Sequence, residues 1–201
     1  MAICARPLRY VSYWLLLFCL AAPLQAATVM VFGDSISAGY GLLPGQGWVS
    51  LLTQRLAPRH RVINASVSGE TTAGGLTRLP QALAEHKPDW VVLELGGNDG
   101  LRGLPLPAMQ TNLQRMIQLC RLAHARVLLV GIELPPNYGA AYTQAFHAVY
   151  ERLARQARLA YVPSLMAGFA GDLSQFQPDG IHPAAAAQAR MMHTVEQQLP
   201  L

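Results

Sequence analysis

From Thr28 onward, short apolar runs alternate with longer amphipathic stretches, and this alternation limits the possible folds more than any other feature of the chain. The short runs are TVMVFG (28–33), HRVINAS (60–66), DWVVLELG (89–96), ARVLLVGI (125–132) and, with a weaker pattern, LAYVPS (159–164). Their length and apolar character suit buried strands. The longer stretches are GWVSLLTQRLA (47–57), AGGLTRLPQALAEH (73–86), LPAMQTNLQRMIQLCRLAH (106–124), AAYTQAFHAVYERLARQAR (140–158) and AAAAQARMMHTVEQQL (184–199). In the fourth of these, Phe146, Val149, Tyr150 and Leu153 recur at helical spacing. Strands without a polar face need cover on both sides. The pattern therefore predicts a three-layer α/β/α domain around a parallel sheet of about five strands, in flavodoxin-like order. Ligands of such sheets collect at the carboxyl ends of the strands, near the switch point in strand order.

Residues 1–26 stand apart from this pattern and read as a cleaved secretory signal. Arg6 and Arg9 give a positive start, VSYWLLLFCLAAP an apolar core, and LQAA small residues for cleavage after Ala26 or Ala27. An uncleaved membrane anchor is the other reading, but the apolar core is short for a span of ~20 residues. Residues 27–201 then form the single folded domain. Loss of Arg6 and Arg9 from the 15 basic residues leaves 13 against 11 acidic ones, and no Lys/Arg cluster remains to hold nucleic acid. Cys4 and Cys19 leave with the signal. Cys120, in an amphipathic helical pattern, reads as a buried structural thiol that cannot form an internal disulfide alone.

Four polar segments fall at strand ends or in loops: GDSISAGYG (33–41), NASVSGETT (64–72), ELGGNDGLRG (94–103) and PDGIHP (178–183). In the last, Asp179 and His182 are three residues apart at a loop entering a helix, with Pro183 placed like a first-turn proline. A turn there can fold the carboxylate onto the imidazole, the orienting half of a hydrolytic triad. Ser35 follows the first strand, flanked by Gly33 and Gly39, and can serve as a helix N-cap or as a nucleophile. Asp34 and Ser37 could cap equally well. The segment lacks the lysine of a phosphate loop and contains no GxGxxG. An acyl-transfer serine also needs donors aimed at a developing oxyanion, which Gly69 can offer from its backbone and Asn98 from its side chain. Asn98 can equally be a turn residue.

Together these blocks resemble the GDSL-type serine esterases, the SGNH hydrolase superfamily, named for a Ser, a Gly, an Asn and a His in four blocks. All four are present in order at Ser35, Gly69, Asn98 and His182, and the match spans essentially residues 27–201. The segments FGDSISAGYG, NASVSGETTAGG, ELGGNDGLRG and PPNYGAAYTQAF are similar to the exported bacterial acyl-CoA thioesterase I group, which also acts as lysophospholipases and arylesterases. The resemblance implies Ser35 as nucleophile, His182 as base and then acid, and Asp179 as its orienting partner. It implies an oxyanion hole made by the backbone N–H groups of Ser35 and Gly69 with the Asn98 side chain. The signal segment implies a periplasmic or secreted protein. Nothing in the sequence calls for an obligate partner, so a monomer is expected. The resemblance implies small acyl esters, thioesters or lysophospholipids as substrates. The chemistry needs no metal or organic cofactor.

A carbohydrate acetylesterase and a non-catalytic binding module are the two other functions open to the same fold. Leu101, Leu104, Leu106 and Tyr138 could line an acyl groove, although packing of loop leucines into the core would explain them too. His60, His86, His124, His147 and His193 lack metal-ligand spacing and read as surface residues. Glu94, in an apolar strand, reads as a hydrogen-bonded structural carboxylate, with a supporting role behind the catalytic residues as the other reading.

Overall fold

The structure, a computed structural model, describes Met1 and residues 26–201. The expected signal segment lies, but for its first and last residues, outside the described residues. Five parallel strands form one sheet in the order β2-β1-β3-β4-β5, the expected flavodoxin-like arrangement. They are β1 (Thr28–Gly33), β2 (Arg61–Asn64), β3 (Trp90–Glu94), β4 (Arg126–Val130) and β5 (Ala160–Val162). Among the described residues seven α-helices accompany them: α1 (Ser35–Ala38), α2 (Trp48–Leu56), α3 (Thr72–His86), α4 (Gly97–Leu101), α5 (Leu106–Leu122), α6 (Ala140–Ala157) and α7 (Gln188–Glu196).

Alternation along each strand sends side chains to opposite faces. Met30, Phe32, Val91 and Leu93 point into one core with Leu79 of α3, Leu113 of α5 and Phe146 of α6. Val29, Val31, Val92 and Leu128 point into the other, with Trp48 and Leu52 of α2 and Met191 of α7. Each fully buried Val, Leu or Phe side chain stabilises the fold by roughly 1.5–3 kcal/mol. The two cores thus clamp β1 and β3 from both sides, and these strands form the rigid centre of the sheet. Cys120 is buried in the first core, and burial pushes its thiol up to about 12. No helix of the described residues is long and apolar enough to cross a membrane.

Every strand predicted from the apolar runs is present; β1 keeps the predicted bounds, and the other four are each three residues shorter than their runs. Two one-turn helices, α1 and α4, are additions. Each follows directly from a central strand, where a periodicity window of eleven or more residues has too little length to register it. The final helix pattern divides into a 3-10 turn (Ala185–Ala187) and α7. The chain moves from β1 outward to β2 and then returns to β3 on the other side of β1, so the switch point lies between β1 and β3.

Candidate active site

β1 and β3 each end at the switch point and turn at once into a short helix, α1 and α4. Ser35 is the first residue of α1. Its capping is done by Asp34, whose Oδ1 accepts from the Ile36 N–H at 3.0 Å, so Ser35 is left free of that duty. Gly33 is required here: a Cβ would lie 2.4 Å from Glu94 Oε2 and 2.8 Å from Ser37 Oγ. The missing side chain lets the end of β1 close onto Glu94.

Glu94 is fully buried beneath this turn. Its Oε2 accepts from Ser37 Oγ and, at 3.4 Å, from the Asp34 N–H. Burial pushes its carboxyl well above the usual carboxylate range, and the nearby Asp34 charge adds to the effect. Asp34, only 1% exposed, is also raised, to about 6. Burial is again the main cause, opposed by the Ile36 N–H, by His182 and by the Asn98 amide. Two carboxyls buried side by side hold their protons to higher pH than free carboxyls do.

Asn98 lies in the first turn of α4, and its Nδ2 donates to Asp34 Oδ2 at 3.2 Å. The neighbouring Asp99 is buried and accepts from both the N–H, at 2.8 Å, and the hydroxyl of Thr72 at the start of α3. Asn98 is thereby anchored through its own side chain and through the residue beside it. Gly69, with φ +79°, lies in the loop after β2, and Arg102 Nη2 donates to its carbonyl at 3.1 Å. Ser35, Gly69, Asn98 and His182 all face one cavity of about 310 Å³.

His182 comes from the irregular loop after β5. Its Nε2 is 2.9 Å from Ser35 Oγ, and its Nδ1 is 2.7 Å from Asp179 Oδ2. Asp179 Oδ1 accepts from the N–H groups of Ile181 and His182 at 2.9 and 3.0 Å, so the DGIH turn folds the carboxylate back onto the ring. Partial burial pulls the Asp179 carboxyl upward, but hydrogen bonds from the His182 backbone and ring and from Ile181 outweigh it and leave the pKa lowered. The carboxylate is therefore ionised at neutral pH. With Nδ1–H donating to it, His182 presents Nε2 as an acceptor to the serine hydroxyl.

The cavity wall is largely apolar. Ile132, Leu134, Pro135 and Pro136 supply it from the loop after β4, and Met166, Leu173, Phe176 and Ile181 from the segments after β5. Of the four groove residues expected from sequence, Leu101 lines the cavity. The other three are not among its lining residues. Leu104 is exposed on its loop, Leu106 opens α5 and packs on the core, and Tyr138 spends its hydroxyl on the Leu101 carbonyl at 2.9 Å. Among the histidines expected at the surface, His124 and His193 are exposed, whereas His60, His86 and His147 are half-buried. Among the described residues no three His, Cys, Asp or Glu side chains group where they could hold a metal ion.

A serine, an imidazole and a carboxylate stand in line at the carboxyl end of a parallel sheet and open on an apolar cavity, an arrangement suited to acyl transfer. Comparison with known proteins agrees. Residues 31–190 match the GDSL-like lipase/acylhydrolase family, and the chain belongs to that family. It is 54% identical over 173 residues to esterase TesA of Pseudomonas aeruginosa, covering 85% of this chain and 86% of that one. It is 40% identical over 174 residues to thioesterase 1/protease 1/lysophospholipase L1 of Escherichia coli K12, covering 87% of this chain and 84% of that one. A crystal structure of TesA superposes with a TM-score of 0.83, covering 86% of this chain and 97% of that one.

Proposed function

We propose that this chain is an exported serine hydrolase that cleaves acyl esters and thioesters, including aryl esters and lysophospholipids, through an acyl-enzyme. The signal segment at 1–26 is removed on export, and residues 27–201 form one hydrolase domain. The observation that carries the catalytic reading is the unbroken line from Ser35 Oγ to His182 Nε2 at 2.9 Å and from His182 Nδ1 to Asp179 Oδ2 at 2.7 Å.

In this reading Ser35 Oγ attacks the acyl carbon as its proton passes to His182 Nε2. The carbonyl oxygen becomes an oxyanion, received by the backbone N–H groups of Ser35 and Gly69 and the free Nδ2 hydrogen of Asn98. The ionised Asp179 stabilises the imidazolium that forms. The C–O or C–S bond then breaks and the leaving group takes the proton from His182. Water repeats the sequence on the acyl-enzyme, giving up a proton to His182 and releasing the acid and free Ser35.

The apolar cavity wall favours medium or long acyl chains over acetylated sugars, whose sites need polar donors along the groove. Rates on p-nitrophenyl acetate and octanoate test this directly. We expect a higher kcat/KM for octanoate, since each buried methylene contributes about 0.8 kcal/mol. A clear preference for acetate would point instead to a carbohydrate acetylesterase.

A further inference from the structure

The loop that carries His182 has no strand or α-helix of its own between the 3-10 turns Leu173–Gln175 and Ala185–Ala187. Its distance from Ser35 must nevertheless be set to within a few tenths of an ångström for proton transfer. We propose that Gln177 is the positioning residue that sets it, by joining the serine's backbone to the histidine's backbone. The inference rests on the roles proposed above for Ser35 and His182.

Three hydrogen bonds make the connection. The Tyr40 N–H donates to the Ser35 carbonyl at 3.0 Å. Gln177 Nε2 donates to the Tyr40 carbonyl at 2.8 Å, across 137 residues of sequence. The Gln177 N–H donates to the His182 carbonyl at 2.8 Å. Nε2 also reaches the carbonyl of Pro183, the residue after the histidine, at 3.3 Å, so both amide hydrogens are used. One residue thus ties the turn after β1 to the histidine's segment, its side chain through the Tyr40 and Pro183 carbonyls and its backbone N–H through the His182 carbonyl.

Two further features fit the same role. Gly41 leaves the space the amide occupies: a Cβ there would lie 2.0 Å from Gln177 Oε1, and its φ of +73° already favours glycine. The Tyr40 ring packs on the imidazole, with centroids 4.6 Å apart. Gln177 therefore holds the backbone of the residue whose ring backs the histidine. No other side-chain hydrogen bond among the described residues links Tyr40 to the segment 176–183.

The test is kcat on p-nitrophenyl octanoate per active site, titrated with a fluorophosphonate, for Gln177→Ala and Gln177→Glu. The Glu variant keeps the volume and loses both donor hydrogens, so it reads the role even if the Ala variant fails to fold. We expect kcat per titrated site to fall about 10-fold or more while KM stays within about twofold. The rate constant of fluorophosphonate inactivation should fall in step, because it depends on the same Ser35–His182 pair. In a His182→Ala background the Gln177 substitutions should cost nothing further. A wild-type kcat per titrated site, or the same fold loss in the His182→Ala background, would overturn the proposal. Ser35→Ala measured alongside separates the two readings. Full activity of that variant removes the site itself, whereas its loss beside unaffected Gln177 variants removes only the role of Gln177.

Discussion

Ser35 and His182 stand 2.9 Å apart, yet the chain reaches the two positions by different means. Ser35 sits just past the end of a strand clamped between two cores, over the buried carboxyls of Asp34 and Glu94, and follows buried Phe32 and Gly33 by three and two positions. His182 sits in an irregular loop, held by its own DGIH turn, by the Phe176–Pro183 bridge and by Gln177. The serine half is fixed by burial, which is cooperative with the whole fold. The histidine half is fixed by individual hydrogen bonds, most of them part-exposed and one, from Gln188 to the Pro183 carbonyl, buried, each worth about 1 kcal/mol. The lesson is that the serine half should tolerate little change without loss of stability, and the histidine half should lose turnover before it loses its fold.

The largest separation of the two halves should come from Asn98→Ala. Asn98 belongs to the sheet side by position but is proposed to act on the oxyanion, so its removal should cost ~10²–10³ in kcat. Because its amide meets Asp34 through one hydrogen bond, thermal stability should move by no more than about 1–2 kcal/mol. A wild-type rate in steady-state kinetics would take Asn98 out of the oxyanion hole.

A smaller effect, confined to stability, should mark the buried carboxyls. Glu94 and Asp34 have folded pKa values raised by burial, so above the ordinary carboxylate range the native state holds a proton that the unfolded chain has released. Their contribution to stability is therefore greatest at acid pH and declines as pH rises through the raised values. Glu94→Gln removes that uptake. Its melting temperature, followed from about pH 5 to 8, should decline less than that of the wild type. An equal or steeper decline would show that the pair is not the source of the proton uptake. Asp179, Asp172 and Glu196 have lowered pKa values and work in the opposite direction, losing their contribution only as pH falls below the carboxylate range.

What could be read from the sequence follows the same division. The strands at 28–33 and 89–96 were legible because continuous apolar runs leave no exposed face, and burial on both sides is the only outcome. The DGIH turn was legible because its geometry is local, with Asp179 and His182 three residues apart. Glu94 stood out as a carboxylate in an apolar strand, though its contact with Ser37 depends on Gly33 across the sheet. The groove was less legible. The leucines at 101–106 and the apolar residues after β4 and β5 look alike in sequence, yet of those leucines only Leu101 lines the cavity. Gln177 carried no signal at all, since its partner Tyr40 lies 137 residues away and the contact is to a backbone carbonyl.

The most direct test of the central claim is covalent labelling with a fluorophosphonate, read by peptide mass spectrometry and paired with Ser35→Ala. One adduct, on the peptide that carries Ser35, together with loss of both labelling and ester hydrolysis in Ser35→Ala, is the predicted result. An adduct on another residue, or substantial hydrolysis by Ser35→Ala, would contradict it.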